Sequence, residues 1–226
     1  MGVVHAGLAK HGMAWFAMEQ TLGKGQRGKP WESLPGENIL LSVVFQPAPV
    51  FFSLPFLFNA LIANTCRQFL EKFHPGDLTI KWPNDLYIDD RKAGGILIEN
   101  SYSGKNWKWS VAGIGININQ ETFSPELKNP VSVRNITGIR YDVLSLAQQL
   151  HQLLLENINS ISGSAIPLIL DLYNSHLFKR NKLIRLRKQN IVFETTLTAV
   201  NEHGQLLTAD RIARQFEFGE VEWILE

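Results

Sequence analysis

Cysteine is almost missing: Cys66 is the only one in 226 residues. A lone thiol can form neither an internal disulfide nor a cysteine-based zinc site, which is the usage of a reducing compartment. An excess of charge is missing too, since 22 Lys and Arg against 21 Asp and Glu leave a net charge of +1. A chain this neutral lacks the field of a generic nucleic-acid or membrane-surface binder. No long hydrophobic run is present. The most apolar stretch, Val50 to Ala63, is broken by Ser53, Pro55 and Asn59, and it is shorter than the ~20 residues a bilayer crossing needs. The N-terminus has no basic segment followed by an apolar one, and Ala6 stands where a myristoylation signal requires Ser or Thr. The six histidines show no H-x-x-x-H spacing, which argues against a metal hydrolase. Repeats and low-complexity segments are absent. With 45% hydrophobic and 19% charged residues, disorder is excluded as the main state and a soluble, cytoplasmic globular protein is expected.

The length suits one full domain with a small second one, at about 100–200 residues each. Asn38 to Phe45 reads as a strand. From Leu54 to Phe73 the apolar residues fall on one helical face, with Ser53 placed to cap it. Short strands are expected at Trp15–Met18, Leu78–Trp82, Leu86–Ile88 and Gly95–Glu99, and strand character continues over Trp107–Asn119. Asp142 reads as the N-cap of an amphipathic helix, and a shorter helix is predicted over Ala165–Tyr173. After this the pattern changes to close-spaced strands at Leu183–Arg187, Ile191–Val200, Gln205–Ala209 and Glu220–Leu225, with a turn over Asn201–Gly204. This predicts an α+β chain, with a mixed-sheet domain over 1–177 and a small β domain of SH3-like size over 178–226. Lys179 to Lys188 holds six basic residues. They either meet an anionic partner or form the solvated face of a strand that buries Ile184 and Leu186.

Thr21 to Gly36 is a loop rich in glycine, proline and basic residues. Within it, Gly23 to Trp31 satisfies G-x-G-x-x-G and nearly satisfies the phosphate-loop pattern. Neither context fits, because Pro30 stands where a helix should open and where a magnesium-binding hydroxyl belongs. The three glycines can still bring backbone N–H groups to an anion, beside Lys24, Arg27 and Lys29; a basic, solvated surface loop would look the same. Lys81-Trp82-Pro83-Asn84-Asp85 puts two polar side chains at a strand end, where a carboxylate can hold Mg²⁺ beside a triphosphate. Lys92 follows the Asp89-Asp90-Arg91 turn and can point into the same space; a plain turn rich in Asp and Lys is the alternative. Gly113 and Gly115 lie within a strand, as at a close approach of a ligand or of another backbone.

Gln20, the loop Gly23 to Trp31, K-W-P-N-D at Lys81 to Asp85, K-x-x-G-I-L at Lys92 to Leu97 and G-x-G-x-N at Gly113 to Asn117 occur in this order. Together they resemble biotin protein ligase over nearly the whole chain. The resemblance implies a class II synthetase-like catalytic domain with a small SH3-like β-barrel, without a DNA-binding domain. The implied reaction has two steps. Biotin's carboxylate attacks the α-phosphate of ATP, giving biotinyl-5'-AMP and pyrophosphate. A lysine of a biotin carboxyl carrier protein, as in acetyl-CoA carboxylase, then attacks the mixed anhydride. ATP and Mg²⁺ are implied as cofactors, with no DNA or membrane partner and with a monomer or homodimer as the working unit.

By this resemblance Gln20, Gly23, Lys24, Gly25, Gln26, Lys92, Gly113 and Gly115 fall on biotin-binding positions. Arg27, Lys29, Trp31, Asn84, Asp85 and Asn117 fall on the ATP side, with Asp85 toward the metal. Lys92 and Arg27 are the expected catalytic residues, Lys92 bridging the biotin carboxylate and the α-phosphate. Two departures stand out. Many family members carry Arg where this chain has Gln26, so Arg27 or Lys24 is expected to supply the charge. The family's Ser-Thr-Asn biotin motif upstream of the glutamine is not among the 19 residues before Gln20. That implies a shortened form or a chain that has lost part of the biotin site. The other readings are a lipoate or octanoate transferase and a non-catalytic carrier-protein or ATP-binding protein.

Overall fold

The computed structural model describes residues 1–162 and 166–224. In chain order they form α1 (Gly2–His5), β1 (Ala14–Phe16), β2 (Asn38–Phe45), α2 (Pro55–Leu70), β3 (Leu78–Lys81), β4 (Asp85–Ile88), β5 (Arg91–Ser103), β6 (Asn106–Asn117), α3 (Val133–Thr137), α4 (Val143–Asn159), α5 (Ile166–Ser175), β7 (Leu183–Lys188), β8 (Ile191–Val200), β9 (Leu206–Ala209), β10 (Ala213–Phe216) and β11 (Glu222–Ile224). Two sheets result. The first has six strands in the order β1-β2-β6-β5-β4-β3, and the second has five in the order β10-β9-β8-β7-β11. Among the described residues every ladder is antiparallel, and parallel pairing is confined to single bridges at Ile80–Leu177 and Lys92–Pro130. This is the α+β class predicted from the pattern of elements, but the first sheet is not the mixed sheet expected: each of its ladders is antiparallel, joined by hairpins or longer returns between neighbouring strands.

The helix α2 lies at the centre, packed against the first sheet, α4 and α5. Its residues from Phe56 to Leu70 are buried almost without interruption. It does not start from a Ser53 cap, as predicted. Leu54 is the N-cap and its side chain makes no capping bond, while Pro55 fills the first helical position. Proline suits that position because its φ is preset and its missing N–H would be unbonded there anyway. The predicted cap of α4 is present: Asp142 Oδ1 accepts from Leu144 N at 3.0 Å and Ser145 N at 3.2 Å. The strand predicted over Gly95–Glu99 is far longer in both directions, running as β5 into a hairpin with β6 that turns at Gly104, where φ is +59°. In the second sheet β10 was not anticipated, because only Phe216 of its four residues is buried. The predicted helix start at Ala165 and strand end at Leu225 lie outside the described residues. In β7, Ile184 and Leu186 are buried while Arg185 and Arg187 are exposed, the solvated-face alternative for that basic run.

The two sheets are tied by buried polar bonds. Trp82 Nε1 donates to Gly204 O at 2.8 Å, and the Trp82–Pro83 peptide is cis. The Tyr173 hydroxyl donates to Pro83 O at 2.9 Å. Asn174 donates to Val200 O at 2.9 Å and accepts from Val200 N at 2.7 Å. Gly204 has φ +83°, and a Cβ there would come within 2.6 Å of the Phe56 ring. Asn174→Ala would leave both Val200 groups without partners, at about 1–3 kcal/mol for each buried group that water cannot reach. Urea unfolding is expected to show a loss of that order with an unchanged slope; a loss below ~0.5 kcal/mol would contradict the bridging role.

Candidate active site

The site is built where β4, β5 and β6 run side by side. Asp85 and Gly95 are register partners, as are Gly95 and Gly115. Lys92 Nζ stands 2.8 Å from Asp85 Oδ1 across the β4–β5 pair. The Lys92 backbone is fixed from the other side, since its N–H donates to Asn129 O and its carbonyl accepts from Val131 N, both at 2.9 Å. Asn84 Nδ2 donates to Ile96 O, and Ile96 N donates back to Asn84 O. Asn84 thereby spends its amide on holding the K-W-P-N-D turn against β5.

The glycine-rich loop closes over this platform. Gly25 N donates to Lys29 O at 2.7 Å and Trp31 N to Gly23 O at 2.9 Å, so the loop folds back on itself as a narrow ribbon. Gln20 is part of the closure: a Cβ at Gly23 would come within 2.4 Å of Trp31 O and 2.9 Å of Gln20 Oε1. The ribbon delivers the Trp31 indole onto the sheet. A Cβ at Gly115 would sit 2.5 Å from the indole ring, and one at Gly95 would sit 3.5 Å from it and 3.3 Å from Asp85 Oδ1. Gly115 is therefore the seat of Trp31. Gly113, on the same face of β6, has only Leu97 O within 4 Å of where a Cβ would stand. Lys92 Nζ lies 6.0 Å from the centre of the Trp31 ring. The indole N–H is buried without a hydrogen-bond partner.

Not every predicted site residue joins this group. Arg27 takes a left-handed φ of +56° and sends its guanidinium to Gly219 of the second sheet's last turn, where a Cβ would lie 3.6 Å from it. It is not brought to Lys92. Gln26 instead lines a cleft of about 310 Å³ with Asn84, Ile96, His203, Glu217 and Phe218, between the two sheets. Asn117 is buried and donates to Val131 O at 3.1 Å. Lys24 pairs through its backbone with Pro30. Gly94 and Gly95 were not singled out as site residues, although a Gly-Gly pair inside a strand is the signal for close approach; a Cβ at Gly94 would meet Gly115 O at 2.7 Å. A wider cleft of about 580 Å³, lined by His11, Phe52 and Trp107 among others, opens at the opposite end of the strands and shares no residue with the site.

Electrostatically the site sets Lys81 and Lys92 on either side of the Asp85 carboxylate. Lys81, on β3 opposite Asp85, lies beside the Tyr87 and Trp223 rings. Burial pulls its pKa from the ordinary 10.5 down to about 8; Asp85 opposes the shift, and Lys92, Lys29 and Lys128 add to it. Among the described residues no three His, Cys, Asp or Glu side chains gather as a metal-binding cluster. The one carboxylate present, Asp85, is a hard oxygen donor of the type that holds Mg²⁺ jointly with phosphate oxygens and water.

The family model described as "Biotin/lipoate A/B protein ligase family" matches residues 6–117. The bifunctional ligase/repressor BirA of Bacillus subtilis is 27% identical over 202 residues, covering 88% of this chain and 62% of that protein. The biotin–[acetyl-CoA-carboxylase] ligase of Paracoccus denitrificans is 34% identical over 137 residues, covering 58% of this chain and 57% of its own. The chain thus spans about three fifths of the length of these relatives. The biotin protein ligase of Aquifex aeolicus, solved with biotin and ATP, superposes with a TM-score of 0.79 at 22% identity, covering 96% of this chain and 91% of that one. No described helix is long and apolar enough to cross a membrane.

Two substitutions test the geometry. Gly115→Ala is expected to drive Trp31 off its seat, so that trypsin cleaves the loop at Lys24, Arg27 or Lys29 several-fold faster; an unchanged cleavage rate would place the ring elsewhere. Lys81 carries a folded-state pKa below its unfolded value, so its charge opposes folding at neutral pH, and that opposition fades as pH rises from about 8 to 10.5. Lys81→Met is therefore expected to raise the denaturation midpoint at pH 7, with the gain shrinking toward pH 10. A gain that is the same at both pH values would contradict it.

The antiparallel architecture, the ordered run of motifs and the similarities of sequence and fold agree: this chain is similar to the biotin/lipoate A/B protein ligase family, whose model matches residues 6–117.

Proposed function

We propose that this chain activates biotin with ATP as biotinyl-5'-AMP and passes the biotinyl group to a lysine of a biotin carboxyl carrier protein. The observation that carries this reading is Lys92 held by Asp85 beneath the glycine-rich loop. The first step joins two anions: a carboxylate oxygen forms a bond to the α-phosphorus as the bond to the pyrophosphate oxygen breaks. The two approach only where fixed cations offset their repulsion. Lys92 has its backbone locked on both sides and its ammonium free to exchange Asp85 for a ligand oxygen, so it is the residue to bridge carboxylate and α-phosphate. Mg²⁺, held by Asp85 and phosphate oxygens, would neutralise further phosphate charge.

The loop serves the second step. Trp31 and the self-bonded ribbon from Gly23 to Trp31 would keep water from the mixed anhydride until an amine arrives. Gln26 is neutral and Arg27 reaches the second sheet, so charge within the loop falls to Lys24 and Lys29. In the second step the acceptor amine attacks the carbonyl carbon, AMP leaves, and the amine loses a proton to solvent. A lipoate or octanoate transferase shares the family, and the ligand decides between the two.

Biotin-dependent exchange between ATP and pyrophosphate is the direct test. The chain is expected to catalyse it, with lipoate and octanoate failing to replace biotin. Lys92→Ala is expected to lower it at least a hundredfold, with folding retained. Exchange driven by lipoate would move the assignment to the sister activity, and exchange that survives Lys92→Ala would remove Lys92 from its role.

A further inference from the structure

We propose that Lys128 is a further substrate-binding cation of this site, and that it holds the pyrophosphate end of the triphosphate. No motif singled out in the sequence contains it. The segment that carries it is clamped to the site by its neighbours. Asn129 O accepts from Lys92 N at 2.9 Å, and Val131 N donates to Lys92 O at 2.9 Å. Asn129, in the left-handed region at φ +49°, donates from Nδ2 to Asp90 O at 2.9 Å. Arg91 donates to Pro130 O at 2.7 Å. Four hydrogen bonds thus fix the chain immediately after Lys128, three to the strand that carries Lys92 and one to the turn before it. Lys128 itself is exposed and forms no ion pair among the described residues, although Asp85, Asp89 and Asp90 are carried on the adjoining strand and turn.

The surroundings point to the ligand class. Lys29, Lys92 and Lys128 all bear electrostatically on Lys81, with Asp85 as the sole acidic group in that set. Only Lys92 of these four amines is ion-paired among the described residues. One cation suffices for the single phosphate of an acyl-adenylate; Lys81 and Lys92 beside Asp85, with Lys128 on the segment bonded to Lys92, match a polyphosphate. The negative charge that grows on the departing oxygen during α-phosphate transfer belongs to pyrophosphate, and a fixed cation there favours its departure. Lys92 takes the α-phosphate in the proposed reaction. Lys128 sits on the segment bonded along Lys92's far edge and is left for the β and γ phosphates.

This inference rests on the adenylating function proposed above, and its test separates the two. Calorimetric binding of ATP, inorganic pyrophosphate and AMP would be measured for the wild-type chain, Lys128→Ala and Lys128→Arg, with KM for ATP and for biotin in the exchange assay. Lys128→Ala is expected to weaken ATP and pyrophosphate about tenfold, the loss of one charge-assisted contact. AMP binding and KM for biotin should stay within about twofold, and Lys128→Arg should restore most of the affinity. Equal weakening of AMP, or unchanged pyrophosphate binding in an active chain, would overturn the role. If the wild-type chain shows no biotin-dependent exchange yet Lys128→Ala still weakens pyrophosphate, the reaction is wrong and the polyphosphate site stands.

Discussion

The pairing of Asp85 with Lys92 is the contact around which the site is arranged. It spans two adjacent strands, so its geometry is inherited from the β4–β5 ladder. For the pair to be reachable from above, the strands beside it must carry no side chains on that face, and Gly95, Gly113 and Gly115 supply that flat floor. For the amine to be fixed, the backbone of Lys92 must be held, and the Asn129–Val131 segment holds it from outside the sheet. A partly buried ion pair of this kind adds little net stability, because desolvation offsets most of the attraction. Its consequence is chemical. An ammonium already deprived of some of its water, next to a carboxylate it can leave, is prepared to accept a ligand oxygen.

The second sheet reaches this floor in two places. Trp82 anchors the K-W-P-N-D turn to Gly204 by a buried hydrogen bond, and its ring packs edge-on against Phe218 at 5.9 Å. Arg27 at the tip of the glycine-rich loop rests on Gly219. The turn that positions Asp85 and the loop that covers it therefore both lean on the same five strands. The cleft between the sheets, with Gln26 and Asn84 on one wall and Glu217 and Phe218 on the other, opens beside the covered site.

Much of this was legible from local pattern. The helix α4 carried its apolar stripe and its Asp142 cap within one contiguous segment, so boundary and cap were both predicted. Ser53 failed as a cap because Pro55 claimed the first helical turn and left Leu54 at the boundary. The strand β10 was missed because it buries one side chain and offers no alternation to read. The structure brings Asp85, Lys92 and Gly115 of the ordered motifs side by side. What no local pattern could give was where the loop lands. That Trp31 sits on Gly115, that Arg27 turns toward the second sheet, and that Asn84 and Asn117 spend their amides on backbone carbonyls are outcomes of long-range packing. Lys128 was invisible for the same reason: its neighbours come from a strand some 36 residues earlier, reached only through the bonds of Asn129 and Val131 to Lys92.

The most direct measurement is a crystal structure of this chain with biotin and a non-hydrolysable ATP analogue. The account predicts that Lys92 Nζ will contact the biotin carboxylate and the α-phosphate, with Trp31 covering the junction and the β and γ phosphates on the Lys128 side. A ligand bound elsewhere, with Lys92 still held by Asp85 and Trp31 unmoved, would contradict it.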